Sequence, residues 1–145
     1  MKKKPKRKRL PSLSRVRNQA DRLWSKMILS NGADSEGTTL CQVCKEKRAV
    51  SAHHIFHKGS HARARFDPRN GLPICTGCHL RERFDPTPVV CRAIEYHKIK
   101  FFDLERDVRQ FKGPHIWNRE RLNLVIIAMN TMLERSPGAV DPVAV

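Results

Sequence analysis

The chain is poor in the material from which a large core is built. Its 145 residues include one tyrosine, two tryptophans and six phenylalanines, so aromatics make up only 6%. Hydrophobic residues reach 39% and charged residues 30%. One small domain with tails fits those totals better than two domains of ordinary size, and small cores commonly need a metal or disulfides as a staple. No apolar run approaches bilayer-spanning length, so no membrane is expected as a partner. The N-terminus is basic but no apolar stretch follows it, so no secretory signal is expected either. A reducing, cytoplasmic location is the resulting expectation. In it, paired cysteines read as thiolate metal ligands and not as disulfides.

Acidic residues are also scarce: 14 Asp and Glu face 29 Lys and Arg, for a formal net charge of +15. Seven cations crowd the first nine residues (Lys2, Lys3, Lys4, Lys6, Arg7, Lys8 and Arg9), and the remainder is still basic without them. A polyanion is the expected partner, and with no anchor in sight that means nucleic acid. Residues 1–11, broken by Pro5 and Pro11, read as a disordered arm. Such an arm contacts phosphates without reading sequence, or serves only to solubilise.

Against these absences stand five cysteines, four of them in two Cys-x-x-Cys pairs, Cys41/Cys44 and Cys75/Cys78. Each pair puts two sulfurs on one tight turn, and four thiolates suit a closed, tetrahedral structural zinc. Closing the long loop between the pairs makes metal binding part of the folding free energy. Cys91 is left over, on an expected helix, and reads as a buried free thiol. Between the pairs lie His53, His54 and Asn70, and His79 follows the last cysteine.

Residues Val16, Ala20, Leu23 and Met27, widened by Trp24 and Ile28, predict an amphipathic helix over 14–30 with Ser14 as its cap. Ala49 to Ile55 reads as a strand ending at the histidines, and Gly71 to Ile74 as a second strand. A short helix follows His79. Further helices are expected over 87–102 and 118–135, the last capped by Asn118 and striped by Leu122, Ile126, Met129 and Leu133. That stripe suits core packing or a homodimer. Residues 136–145 read as a disordered tail.

Successive strand residues point to opposite faces, so His53 and His54 can divide two duties. One coordinates a metal while the other faces a substrate. Hydrolysis of a phosphodiester needs a base to deprotonate water and a cation to stabilise phosphate charge, and imidazole has a suitable ordinary pKa for the base. His57 and His61 lie in a basic loop and suit phosphate contact equally well.

The order Cys-x-x-Cys, histidine pair, Asn, Cys-x-x-Cys-His resembles the HNH endonuclease family, in which the asparagine lies nine residues before the last histidine, as Asn70 does before His79. The resemblance implies a small α+β fold with a zinc-bound ββα-metal core over about 40–85 inside a single domain, 12–135. It implies His54 as general base, Asn70 as brace of the inter-strand loop, and His53 and His79 as ligands of a catalytic divalent ion. His53 stands where many members have Asp, and a histidine-rich site is softer, favouring Mn²⁺, Ni²⁺, Co²⁺ or Zn²⁺ over Mg²⁺. A further ligand found four residues later in some members is absent, since that position is Arg83.

Residues 17–84 more narrowly resemble the phage recombination nucleases of the NinG (Rap) group, through the helix before the first pair and Gly59, Arg65, Phe66 and Asn70. That resemblance implies branched DNA as substrate. Arg63, Arg65, Arg81 and Lys58 are the expected DNA contacts. Two other readings fit the same residues: a non-catalytic zinc-ribbon DNA-binding protein, and an HNH nickase of phage packaging or restriction.

Overall fold

A computed structural model of the chain describes residues 10–111 and 113–135. Nearly all of the expected basic arm (1–9), and the whole of the expected tail 136–145, lie outside the described residues. The fold is mostly helical with one small antiparallel sheet. Helix α1 (Leu13–Ser30) is followed by strand β1 (Ser51–His54), strand β2 (Gly71–Ile74) and helix α2 (Thr76–Arg81). Three more α-helices follow among the described residues: α3 (Thr87–His97), α4 (Ile99–Gln110) and α5 (Arg119–Glu134). No helix among the described residues is long and apolar enough to cross a membrane.

Helix α1 is the organising element. Ser12, and not Ser14, caps it by accepting the Arg15 N–H at 3.2 Å. Its stripe of Val16, Ala20, Trp24, Met27 and Ile28 is fully buried, and each of the larger side chains contributes of order 2 kcal/mol by leaving water. The stripe meets Phe66 and the inner face of α5, Leu122 and Met129. The stripe expected to serve core packing or a homodimer thus packs in the core: Leu122 and Met129 are buried against the chain's own α1, and Ile126 and Leu133 pack, partly buried, against the same cluster. Asn118 caps α5 as expected, accepting the Arg121 N–H at 2.9 Å.

Strands β1 and β2 pair as Ser51↔Ile74, Ala52↔Pro73, His53↔Leu72 and His54↔Gly71. Both strands are edges, so Pro73 is tolerated. Gly71 is required for a different reason: a Cβ there would stand 2.4 Å from the Ile28 side chain, so only glycine lets α1 lie this close to the sheet. Behind the sheet, Leu72 and Ile74 share a second core with the cysteines, Val89, Ala93 and Phe101.

Three further expectations are corrected. The single helix over 87–102 is two, because Lys98 adopts a positive φ of 53° and turns the chain. Cys91 is exposed, not buried. The short helix starts before His79 and not after it, with Cys75 as its cap.

Candidate functional site

The four paired cysteines converge on one point. Their sulfur atoms all lie within 4.8 Å of one another, and Cys44 and Cys75 are 4.0 Å apart. A zinc tetrathiolate with Zn–S near 2.3 Å has sulfur–sulfur edges of about 3.8 Å, so the cluster is positioned to hold a metal ion and is consistent with a structural zinc. Local backbone explains the first pair. Leu40 bridges Arg48, Lys45 takes a positive φ of 61°, and its N–H returns to the Cys41 carbonyl at 2.9 Å. The amides of Glu46 and then Lys47 point at Cys44 and bring its pKa down to about 6. In the second pair, Cys75 Sγ accepts the Cys78 N–H at 3.5 Å across the first turn of α2. Burial, with the neighbouring cysteines, pushes Cys78 up to about 12. Thiols this crowded cannot all ionise without a countercharge, which a divalent cation supplies.

Beside this cluster an open cleft of about 930 Å³ runs between α1, the end of β1, α2 and the start of α3. His53, His54, His57, Lys58, His79 and Glu82 line it, with Asp21 and Trp24 on the α1 side. Both histidines of the pair reach the same cleft, at the last two positions of β1.

His54 is the more tightly constrained. Its ring stacks on Trp24 at 3.8 Å and 12°, and its Nε2 lies 2.9 Å from the Arg65 carbonyl oxygen. A carbonyl only accepts, so Nε2 carries the proton and Nδ1 keeps the lone pair. Burial lowers the His54 pKa to about 4, against a smaller opposing effect of that hydrogen bond. The ring is neutral at neutral pH, with one basic nitrogen uncommitted by Arg65.

Asn70 supports this arrangement from within. It is wholly buried. Its Oδ1 accepts the Phe56 N–H at 2.7 Å, while Nδ2 donates to the carbonyls of Phe56 at 3.0 Å and Ala64 at 2.9 Å. Three bonds from one side chain tie the start and the middle of the inter-strand loop to the head of β2. The loop then presents the Arg65 carbonyl to His54.

His53 is buried and His79 exposed, their rings edge to face at 5.2 Å between centroids. His53 Nε2 lies 4.0 Å from Glu82 Oε1, and His79 Nδ1 lies 3.4 Å from Ser51 Oγ. Burial lowers the His53 pKa, with Glu82 opposing. Glu82 is the residue that sequence reasoning missed. It lies three positions after His79, one helical turn on, so both side chains rise from one face. Two imidazoles and a carboxylate are a donor set for a divalent first-row ion. Among the described residues, however, only the cysteines bring three or more ligand atoms as close together as a bound ion needs.

The expected DNA contacts separate. Lys58 lines the cleft, and Arg63 lies in a different hollow. Arg81 is exposed and its neighbour Arg83 lines the cleft in its place. Arg65 is not free for phosphate. Its Nε and Nη2 bind the Asp21 carboxylate at 3.0 and 2.6 Å, which fastens the loop to α1. No family model, no curated protein and no solved structure matches this chain.

Proposed function

We infer that the protein is a metal-dependent endonuclease of the HNH type that hydrolyses DNA phosphodiester bonds in the cleft beside the cysteine cluster. The observation that carries the reading is the state of His54: Nε2–H is pinned to the Arg65 carbonyl, Nδ1 keeps its lone pair, and the residue lines an open cleft with Lys58, Arg83, Asp21 and Glu82. The order β1, braced loop, β2, α2 supports it as a ββα-metal core, with Asn70 as the brace. The +15 charge supports a polyanionic substrate.

In this reading His54 Nδ1 takes a proton from a water as its oxygen bonds to phosphorus and the bond from phosphorus to the 3′ oxygen breaks. That oxygen leaves protonated by solvent. His53, His79 and Glu82 are the residues that would hold a divalent ion, whose charge would stabilise the phosphate and the leaving oxygen. Mixed nitrogen and oxygen donors suit Mn²⁺, Co²⁺, Ni²⁺ or Zn²⁺. Lys58 and Arg83 serve the flanking phosphates. The likeness to recombination nucleases extends the proposal to branched DNA.

The test is cleavage of supercoiled plasmid across a divalent-metal series, with total zinc measured on the same protein. Wild type cleaves, and His54→Ala of equal zinc content and helicity is slower by about 10²–10⁴, the usual worth of a positioned base. Undiminished cleavage by His54→Ala, or none by wild type with any metal, overturns the mechanism. The second result leaves a zinc-stapled DNA-binding protein. Faster cleavage of a four-way junction than of linear duplex supports the branched substrate.

A further inference from the structure

Two hollows lie away from the cleft, where the inter-strand loop meets the segment joining α4 to α5. They share Arg63, Phe111 and Gly113 with each other and no residue with the cleft. In the larger, of about 320 Å³, the two carboxylates of the lining are matched by Arg69. There Arg69 bonds Asp67 through Nε and Nη2, at 3.0 and 2.7 Å, and reaches Asp107 at 3.0 Å.

The smaller hollow, of about 170 Å³, is different. Arg63, Gln110, Phe111, Gly113, Pro114 and His115 line it, and none is a carboxylate. The Arg63 guanidinium carbon lies over the Phe111 ring, 3.7 Å from its centroid. That cation–π contact holds the group in place while leaving its N–H edges outward. Among the described residues, no ion pair engages it. His115 Nε2 is buried and has no hydrogen-bond partner. The His115 ring is set by Trp117, edge to face at 4.6 Å, and Trp117 is itself anchored by Nε1–H to the Ala62 carbonyl at 2.7 Å. Arg121, bonded to the Ile116 carbonyl at 3.0 Å, acts electrostatically on the same ring, as does Arg63. A guanidinium with no ion pair, a primary amide and an imidazole whose Nε2 has no hydrogen-bond partner thus belong to one lining, and none of its described residues is acidic.

We propose that this hollow is a phosphate-binding subsite, in which Arg63 supplies the charge and Gln110 and His115 supply neutral donors to the phosphate oxygens. Its ligand is a backbone phosphate of a nucleic-acid strand, away from any bond being cut. The inference rests on the nucleic-acid half of the proposed function and not on the hydrolytic half. A subsite here also gives the loop that carries Arg65 and its carbonyl a second hold on the strand.

The 145-residue chain, loaded with zinc, is tested without added catalytic metal, by anisotropy with a labelled linear duplex over a salt series. Arg63→Gln is expected to weaken binding about three- to tenfold and to reduce the slope of log K against log salt by about one, as loss of one phosphate contact does. Arg63→Lys restores the slope. His115→Gln weakens binding with the slope kept. In parallel, the His115 ring nitrogen signals are followed by NMR against inorganic phosphate, and they move in wild type but not in Arg63→Gln. Movement with an unchanged duplex slope assigns the subsite to free phosphate or a mononucleotide. Unchanged duplex binding together with unmoved His115 signals overturns the proposal. Absence of duplex binding by wild type tells against the proposed function, and the phosphate titration still decides the subsite.

Discussion

Asp21 holds Arg65 by two hydrogen bonds, 3.0 Å from Nε and 2.6 Å from Nη2, and the carbonyl of that same arginine holds His54 at 2.9 Å. Trp24, one turn along α1 from Asp21, supports the other side of the imidazole. The candidate base is thus registered to α1 twice, by stacking and by an ion pair of which both side chains are mostly buried. Asp21→Asn leaves a guanidinium without its carboxylate, and the expected cost is about 2 kcal/mol in urea denaturation. If His54 is the base, the rate of plasmid cleavage at saturating DNA falls about tenfold, with little change in KM, because a loosened base is lost from the transition state. A change in KM alone would show that Asp21 serves binding and not the orientation of His54.

Asn70 makes three hydrogen bonds with no exposed surface. Asn70→Ala strands the Phe56 N–H and two carbonyls in a dry interior, so a loss of about 3 kcal/mol or more is expected. Asn70→Asp keeps the acceptor for Phe56 but faces two carbonyls with a carboxylate, and is expected to fare no better. Chemical denaturation of both variants checks this. An Asn70→Asp protein as stable as wild type would mean that the two Nδ2 bonds contribute nothing.

The parts legible in the sequence were those set by spacing. Cys41, Cys44, Cys75 and Cys78 announce a four-sulfur cluster because two short turns can only present their thiols as pairs. Helix α1 was legible because Val16, Ala20, Trp24 and Met27 repeat at helical intervals. Asn118 was legible as a cap because a short acceptor side chain stands directly before an apolar stripe. What escaped were features made by contact across the chain. The break at Lys98 has no glycine or proline to mark it, and only packing of α4 behind the sheet makes its strained backbone worthwhile. Arg65 reads as a surface cation until Asp21, far away in sequence, is brought beside it. Glu82 was visible only as a charged neighbour of His79, and its link to His53 depends on where β1 lays its last residues. A search for carboxylates one turn beyond His79 would have found it.

The cysteine cluster predicts one tightly held metal ion per chain. Elemental analysis of the purified protein should find one zinc that survives dialysis, separate from any weaker, exchangeable ion. Removal by a strong chelator should abolish the cooperative thermal transition, since the sulfurs join two turns and the second core. Cys75→Ser should lose the ion while its hydroxyl keeps the cap on α2, whereas Cys91→Ser, at an exposed position, should leave zinc content and Tm unchanged. Zinc-free protein that melts like the loaded form would dismiss the structural role.

Glu82 predicts a metal effect of the opposite kind. Glu82→Gln keeps the size of the side chain and removes its charge. The zinc on the cysteines should stay, and if the proposed ion sits on His53, His79 and Glu82, the concentration of Mn²⁺ needed for half-maximal cleavage should rise about tenfold or more. The His53–Glu82 separation of 4.0 Å is a weak contact without an ion, so the stability change should be within about 0.5 kcal/mol. Unaltered Mn²⁺ dependence would leave Glu82 as a mere neighbour of the site.

His97 predicts the pH response of the fold. Its Nε2 donates to the Gly71 carbonyl at 2.7 Å, fixing α3 to the residue paired with His54. Burial lowers its pKa below the ordinary 6.5, with Lys100 assisting and the Gly71 hydrogen bond and Asp67 opposing. The folded state therefore favours the neutral ring, and the unfolded chain binds the proton more readily. This contribution to stability is complete above the unfolded pKa of 6.5 and is lost as pH falls through the lowered folded value. His97→Gln keeps a donor for Gly71 and cannot titrate. Wild type should be the more stable at about pH 7.5, and the difference in Tm between the two proteins should narrow towards about pH 5. His53, His54 and His115 are also lowered by burial and remain in both proteins, as do the cysteines, so the comparison isolates His97. Parallel Tm curves over that range would show that the His97 ring holds its proton equally well folded and unfolded, and that its bond to Gly71 is not proton-linked.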